Sequence, residues 1–324
     1  MRVRPLFAYI SGRLALSLVT LWLVSVAAFV LMRVAPGDAA TASLALSPGE
    51  ASLSLDQLER RRHELGLDRP YVVQYVDWMG DLLRLDPGRS AASGLPVISE
   101  VRPRLGVTME LATITVAMVA VLGAGSGLLA AAARGGWVDV FVRAFALIGL
   151  STPAFWMGLI AIIALASWAN VFVAASFTPL WEDPWVNLQA VLPAAAVLAV
   201  RPAALVARVA RSTVSETLSQ DFIRAARARG LNEAAVLWRH AFRAAALPVV
   251  TVIGVEALFL LGGAVAVEQV FGLPGIGRAL VAGVIERDYP LVQFLLVLFG
   301  AFAVAVSLVG DVTCAWLDPR LRAV

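Results

Sequence analysis

Three carboxylates stand inside runs of apolar residues: Glu110, Glu256 and Glu268. A charge at the centre of a bilayer costs roughly 2.5–3.5 kcal/mol on insertion scales, so such a group faces a cavity or a partner rather than lipid. Glu256 poses the sharpest question. As a pathway residue it would favour cationic groups, such as a peptide amino terminus. As a structural residue it would be protonated or paired with an arginine, and Arg201 in the preceding apolar run is a possible mate. Glu268, near the outer end of the same run as Glu256, is a second candidate for the pathway.

Other chemistries lack their residues. All 26 basic residues are arginine; there is no lysine. A P-loop needs a lysine to reach the β- and γ-phosphates, and a Schiff-base enzyme needs a lysine amine. The chain therefore carries no standard ATPase site of its own. The single cysteine, Cys314, excludes an intrachain disulfide and any CxxC redox or zinc motif. His63 and His240 lie far apart, and no HExxH or GxSxG sequence occurs. No bound cofactor or metal is expected, and nothing points to nucleic acid. The arginine-only, alanine-rich composition reads as the imprint of a GC-rich genome.

The elements that must position the carboxylates are membrane helices. Sixty per cent of the 324 residues are hydrophobic and 15% charged, and the mean hydropathy is +0.82. Soluble domains hold about a quarter charged residues. About 20 apolar residues cross a bilayer, and six runs qualify: Leu14–Met32, Val107–Ala133, Val140–Trp168, a weaker one at Val186–Ala207, Val249–Val270 and Leu291–Leu317. The first run exceeds the roughly 7–15 residues of a signal-peptide core, so it reads as an uncleaved anchor despite the A-x-A sequence Ala40–Ala42. Arginine in short loops sets orientation. With the N-terminus inside, inner segments hold 15 arginines against Arg278 and Arg287 outside, which predicts both termini in the cytoplasm. Residues 34–106 then form an extracytoplasmic segment, with amphipathic helices predicted at Leu55–Leu65 and Tyr71–Leu85. Residues 1–33 hold the tail and first span, and 107–324 the remaining five. Gly123 and Gly127 form a G-x-x-x-G pair, a weak signature of close helix packing.

Between the fourth and fifth spans the chain is too polar to cross a membrane. Arg201 to Arg243 contains eight arginines against Glu216, Asp221 and Glu233. The segment reads as two short helices, Asp221–Arg229 and Asn232–Ala245. Gly230 suits the left-handed turn that ends a helix, Asn232 suits an N-cap, and Pro248 marks re-entry into the apolar phase. Eight arginines exceed what topology alone needs. Small residues on a short cytoplasmic helix suit docking into a groove on a partner.

Arg224-Ala225-Ala226 followed by Gly230 resembles the EAA-x-x-x-G loop of ABC importer permeases. The fuller pattern, Asp221-Phe-Ile-Arg-Ala-Ala-Arg-Ala-Arg-Gly-Leu231 with Leu247-Pro248 downstream, is similar to the dipeptide/oligopeptide/nickel branch, and to its first (B-type) permease subunit. Further matching stretches are Arg33–Asp38, Leu65–Pro70, Ser151–Trp156, Val270–Gly277, Arg287–Pro290 and Leu317–Arg320. Arg224 replaces the glutamate that names the motif, and Leu247-Pro248 falls later after Gly230 than in sugar permeases, both of which resemble the peptide branch; Glu256 stands where the resembling permeases often carry Gln.

The resemblance implies an all-α permease of six transmembrane helices with the type I ABC importer fold, in the bacterial inner membrane. It implies a second homologous permease, two cytoplasmic ATPases that bind ATP and Mg²⁺, and an extracytoplasmic binding protein delivering solute to Arg33–Arg104 and Phe271–Tyr289. ATP binding would drive alternating access. Asp221, Arg224, Ala225, Ala226, Gly230 and Leu231 would form the coupling helix on an ATPase, with Ala225, Ala226 and Gly230 as contact positions. Di- and oligopeptides lead as solutes; nickel chelates, glutathione and oligosaccharides are alternatives. A channel or secondary transporter would leave the Asp221–Pro248 segment unexplained. An intramembrane enzyme would need paired Asp, a Ser/His pair or a metal site within the spans, and none is visible.

Overall fold

The computed structural model describes residues 6–34, 59–60, 63, 68–168 and 177–317. Most of the expected helix at Leu55–Leu65, the Ala40–Ala42 sequence, most of the Arg33–Asp38 and Leu317–Arg320 stretches and half of Leu65–Pro70 lie outside those residues. Regular structure among the described residues is helical: α1 Leu6–Val34, α2 Tyr71–Leu83, α3 Val97–Ala132, α4 Trp137–Ser151, α5 Ala154–Trp168, α6 Pro184–Leu218, α7 Asp221–Ala228, α8 Glu233–Phe271, α9 Ile276–Glu286 and α10 Tyr289–Leu317. Five of these are long and apolar enough to cross a membrane, and six spans result if the bent pair α4–α5 is one broken span.

Three expectations change. The third apolar run is not one straight helix: α4 and α5 meet at 109°. Pro153 is the cause, because its ring pushes the preceding residue out of helical conformation; Thr152 has φ −99° and ψ 128°. The second run begins earlier, at Val97, and carries Pro103 within it. The helix expected at Asn232–Ala245 does not stop before the fifth span. It continues through Pro248 to Phe271 as one 39-residue helix. Proline removes one backbone hydrogen bond, yet membrane helices absorb that loss through local adjustments and neighbouring helices. A π-helical turn at Val236–Ala241 lies just upstream.

Packing gathers the chain into two units. The larger comprises residues 1–13, 109–273 and 305–324. Its centre is α6, which packs on α8, α4, α5 and the 119–132 part of α3. Two-thirds of the most apolar window of α6 is buried (67%). Asp183 starts it by accepting hydrogen bonds from the Trp185 and Val186 amides, with Pro184 in the first turn. The Gly123/Gly127 pair meets this helix. A Cβ on Gly127 would lie 2.5 Å from the Ala207 carbonyl oxygen, and one on Gly123 would lie 2.9 Å from the Val206 Cβ. Only hydrogen fits there.

The second unit comprises residues 14–108 and 274–304. Tyr75 and Trp78 of α2 pack on Phe29 of α1, and the Tyr75 hydroxyl meets Ser25 at 2.8 Å. Tyr71, the third aromatic of the amphipathic run, is exposed. Val97 and Val101 share a core with Ile276, Leu291 and Leu295. The fully buried Asp288 starts α10: its carboxylate accepts from the Leu291 amide and from the Ser90 hydroxyl.

Candidate functional site

The α7 helix sits on a hydrophobic seat made by the ends of three longer helices. Ile223 and Ala226 are buried against Leu128 and Ala131 of α3, Val214 of α6, and Val236, Ala241 and Ala245 of α8. Positions three apart on a helix share one side; of the apolar pairs so spaced, Ile223/Ala226 is the buried one and Phe222/Ala225 is exposed. The other side of α7 is exposed, presenting Asp221, Phe222, Arg224 and Ala225.

The turn after α7 is built locally. Gly230 has φ +82°, a conformation that costs side-chain-bearing residues energy. Its amide donates to the Arg227 carbonyl at 2.9 Å, closing the helix end. The Asn232 side chain then accepts from the Ala235 amide at 2.7 Å and starts α8. Arg227 spans the turn, donating to both oxygens of Glu233 at 2.8 and 3.1 Å. Arg224 lies 3.3 Å from Asp221 on the exposed face. Gly230 and Leu231 are both solvent-exposed.

Of the positions expected to touch a partner, the structure therefore exposes Asp221, Arg224, Ala225, Gly230 and Leu231 and turns Ala226 inward. Sequence reasoning did not single out Phe222 or Trp238, aromatic rings left 44% and 59% exposed beside the turn. The available signal was a bulky ring in an otherwise charged segment.

A second feature escaped the sequence reading. Asp139, at the start of α4 and almost fully buried, accepts two hydrogen bonds from Arg211 of α6 and one from the Gly135 amide at 3.1 Å. Arg143 lies 3.6 Å away. Buried carboxylates need such partners. The arrangement ties the α3–α4 turn to the end of α6, close in sequence to the α7 seat.

The carboxylates in the spans are dispersed. Glu256 is buried and accepts from Nη1 of Arg201 at 3.2 Å. Glu110 accepts from the side-chain Nδ2 of Asn187 at 3.3 Å. Glu268 is fully buried near the end of α8, and its backbone carbonyl accepts from Leu273. Glu256 and Glu268 are twelve positions apart on α8, roughly 18 Å at 1.5 Å per residue, so they form no joint site. Among the described residues no cluster of three or more metal-ligating side chains occurs.

Residues 123–323 match the family described as the inner membrane component of binding-protein-dependent transport systems, and residues 6–112 match the N-terminal model of such components. The chain belongs to this family. It is thus a membrane permease component and not an enzyme. Relatives cover it almost end to end. A Brucella abortus (strain 2308) protein named for a peptide transport system permease is 38% identical over 97% of this chain and 99% of its own length. A protein of Sinorhizobium fredii named for a peptide ABC transporter permease is 36% identical, with 97% and 99% covered. The glutathione transport system permease protein GsiC of Escherichia coli (strain K12) is 35% identical, with 97% and 98% covered.

Proposed function

We propose that this permease forms half of the translocation pathway for di- and oligopeptides in an ATP-driven importer working by alternating access. The observation that carries the coupling role is the two-sided α7. One side, Ile223 and Ala226, is seated on the ends of α3, α6 and α8. The other presents Asp221, Phe222, Arg224 and Ala225 to a partner. A push on α7 thereby reaches three membrane helices at once.

The partner pushing α7 is a cytoplasmic ATPase. The chain has no lysine for a P-loop, so ATP and Mg²⁺ bind on two such subunits. A second homologous permease supplies the other half of the pathway. An extracytoplasmic binding protein delivers solute to the outer face. Both termini lie in the cytoplasm, as the arginine distribution supports. The relatives named for peptide transport support peptides as solute, and the E. coli relative supports glutathione, itself a modified tripeptide, as a second reading.

Co-expression with the partner subunits and binding protein, followed by ATP-dependent uptake of labelled tripeptide and labelled glutathione into proteoliposomes, tests this. Saturable, ATP-dependent tripeptide uptake is expected. Uptake of glutathione alone would favour the second reading, and uptake of neither would overturn the peptide-class assignment.

A further inference from the structure

We infer that Arg201 is an anion-binding residue in the inner half of the pathway, placed to hold a carboxylate of the solute, with Glu256 as its positioning partner. This rests on the permease reading above and on the cytoplasmic placement of the termini.

The ion pair between these residues is lopsided. The Glu256 side chain is 7% exposed, whereas that of Arg201 is 55% exposed. Only Nη1 of the guanidinium is used by Glu256, and among the described residues Arg201 has no other ion-pair or hydrogen-bond partner. A guanidinium carries five N–H donors in a planar fork that matches a carboxylate. Arg201 is the eighteenth residue of the 35-residue α6, about 26 Å along the helix from its start. A half-open guanidinium in the inner part of the span faces water, a partner or the inner interface rather than acyl chains.

The exposure pattern of α6 runs from Arg201 toward the C-terminal end of the helix. Toward the helix start, the positions in line with Arg201 are buried: Ala190, Ala194, Val197 and Leu198. Beyond Arg201, Ala204 on the same line is still buried, and the line opens and becomes polar only from Arg208. Arg208, Ser212 and Glu216 are exposed, with Leu205 half-buried between them. These positions fall at +7, +11 and +15 from Arg201, one face of a helix. Exposed Val255 and Phe259 neighbour Glu256 in sequence on α8 and are apolar, so a lipid-like face is available elsewhere. The α6 stripe therefore reads as the wall of a path that opens to the cytoplasm and ends at Arg201. At its inner end, beyond Arg208, Ser212 and Glu216, that path presents the Arg201 cation. Of the two roles the sequence offered Glu256, a site for cationic groups or a carboxyl paired with Arg201, the observed contact is the pair. A free peptide and glutathione share the matching chemistry, a terminal carboxylate.

The test uses the assembled transporter. In a Cys314→Ala background, Arg208→Cys and Ser212→Cys are expected to react with a charged methanethiosulfonate reagent in the nucleotide-free state. Trapping with ATP and vanadate should slow the reaction at least tenfold. Inert cysteines in both states would overturn the water path. Saturation-transfer NMR without the binding protein then compares trialanine with trialanine amide. The free acid is expected to give at least threefold more signal with the wild type. The preference should vanish in the Arg201→Gln/Glu256→Gln double variant, which leaves no buried unpaired charge, and persist in part in Arg201→Lys. A double variant that keeps the preference, or equal signals with the wild type, would show that the pair is only structural. Tripeptide uptake by the wild type separates the two readings. Uptake with no acid preference sinks this inference alone, whereas no uptake and no binding sinks the peptide assignment with it.

Discussion

Ala225 and Ala226 are adjacent in α7 and face opposite ways: Ala226 is 1% exposed in the seat formed with Leu128, Val214 and Ala245, while Ala225 faces solvent. One residue belongs to the permease's own packing and the other is free for a partner. Substitutions at the two positions must therefore fail differently.

Ala226→Leu is expected to destabilise the solubilised permease by about 1–3 kcal/mol, the usual cost of overpacking a filled core. Thermal unfolding followed by size-exclusion chromatography checks it. Ala225→Leu, on the open face, is expected to leave the unfolding temperature unchanged.

The Gly123/Gly127 pair gives a ranked series. Gly127→Ala places a methyl group 2.5 Å from a backbone oxygen of α6, which cannot move aside as a side chain can. Gly123→Ala meets the Val206 side chain at 2.9 Å and the Ala203 backbone oxygen at 3.0 Å, looser contacts than those at Gly127, and Gly125→Ala meets nothing within 4 Å. Unfolding temperatures are expected to fall most for Gly127→Ala, by the equivalent of about 1–3 kcal/mol, less for Gly123→Ala, and not at all for Gly125→Ala.

Asp139→Asn leaves Arg211 partly buried without its counter-ion. Breaking a buried pair from one side costs about 3–5 kcal/mol, and the 25% exposure of Arg211 places the effect at the low end. The unfolding temperature of the assembled transporter is expected to drop. The double variant Asp139→Asn/Arg211→Gln should recover part of the loss.

Gly230→Ala forces a methyl-bearing residue into a left-handed conformation at a cost of about 1–2 kcal/mol, although nothing within 4 Å would obstruct the new methyl group. The expected effect is a modest fall in stability and, because the turn sets the angle between α7 and α8, fewer solute molecules moved per ATP hydrolysed. Comparing uptake with hydrolysis in the same proteoliposomes measures it.

These cases show what the sequence could disclose. Gly230, Asn232 and the Gly123/Gly127 pair are local signals, since each acts through backbone conformation or a four-residue spacing, and each is readable without knowing the fold. Pro153 was also a local signal, but it lay inside a uniformly apolar run, and hydropathy has no direction with which to report a bend. Asp139 and Arg211 stand 72 positions apart, so only the fold unites them. The inward facing of Ala226 depends on three helix ends meeting under α7, and a short helix cannot announce which of its sides they cover. Glu256 was legible as a carboxylate in need of a mate, and Arg201 as an available one. That the arginine would be the exposed member was not, because exposure depends on how α6 turns against its neighbours.

The coupling role rests most directly on the open face of α7 as the seat of an ATPase. Affinity purification of the tagged permease, co-expressed with its companion permease and ATPases, measures the retained ATPase. Ala225→Trp and Gly230→Trp are expected to lose it at least tenfold, while a conformation-sensitive measure such as unfolding temperature shows Ala225→Trp still folded. Full retention of the ATPase by a folded Ala225→Trp permease would contradict the coupling role assigned to this face.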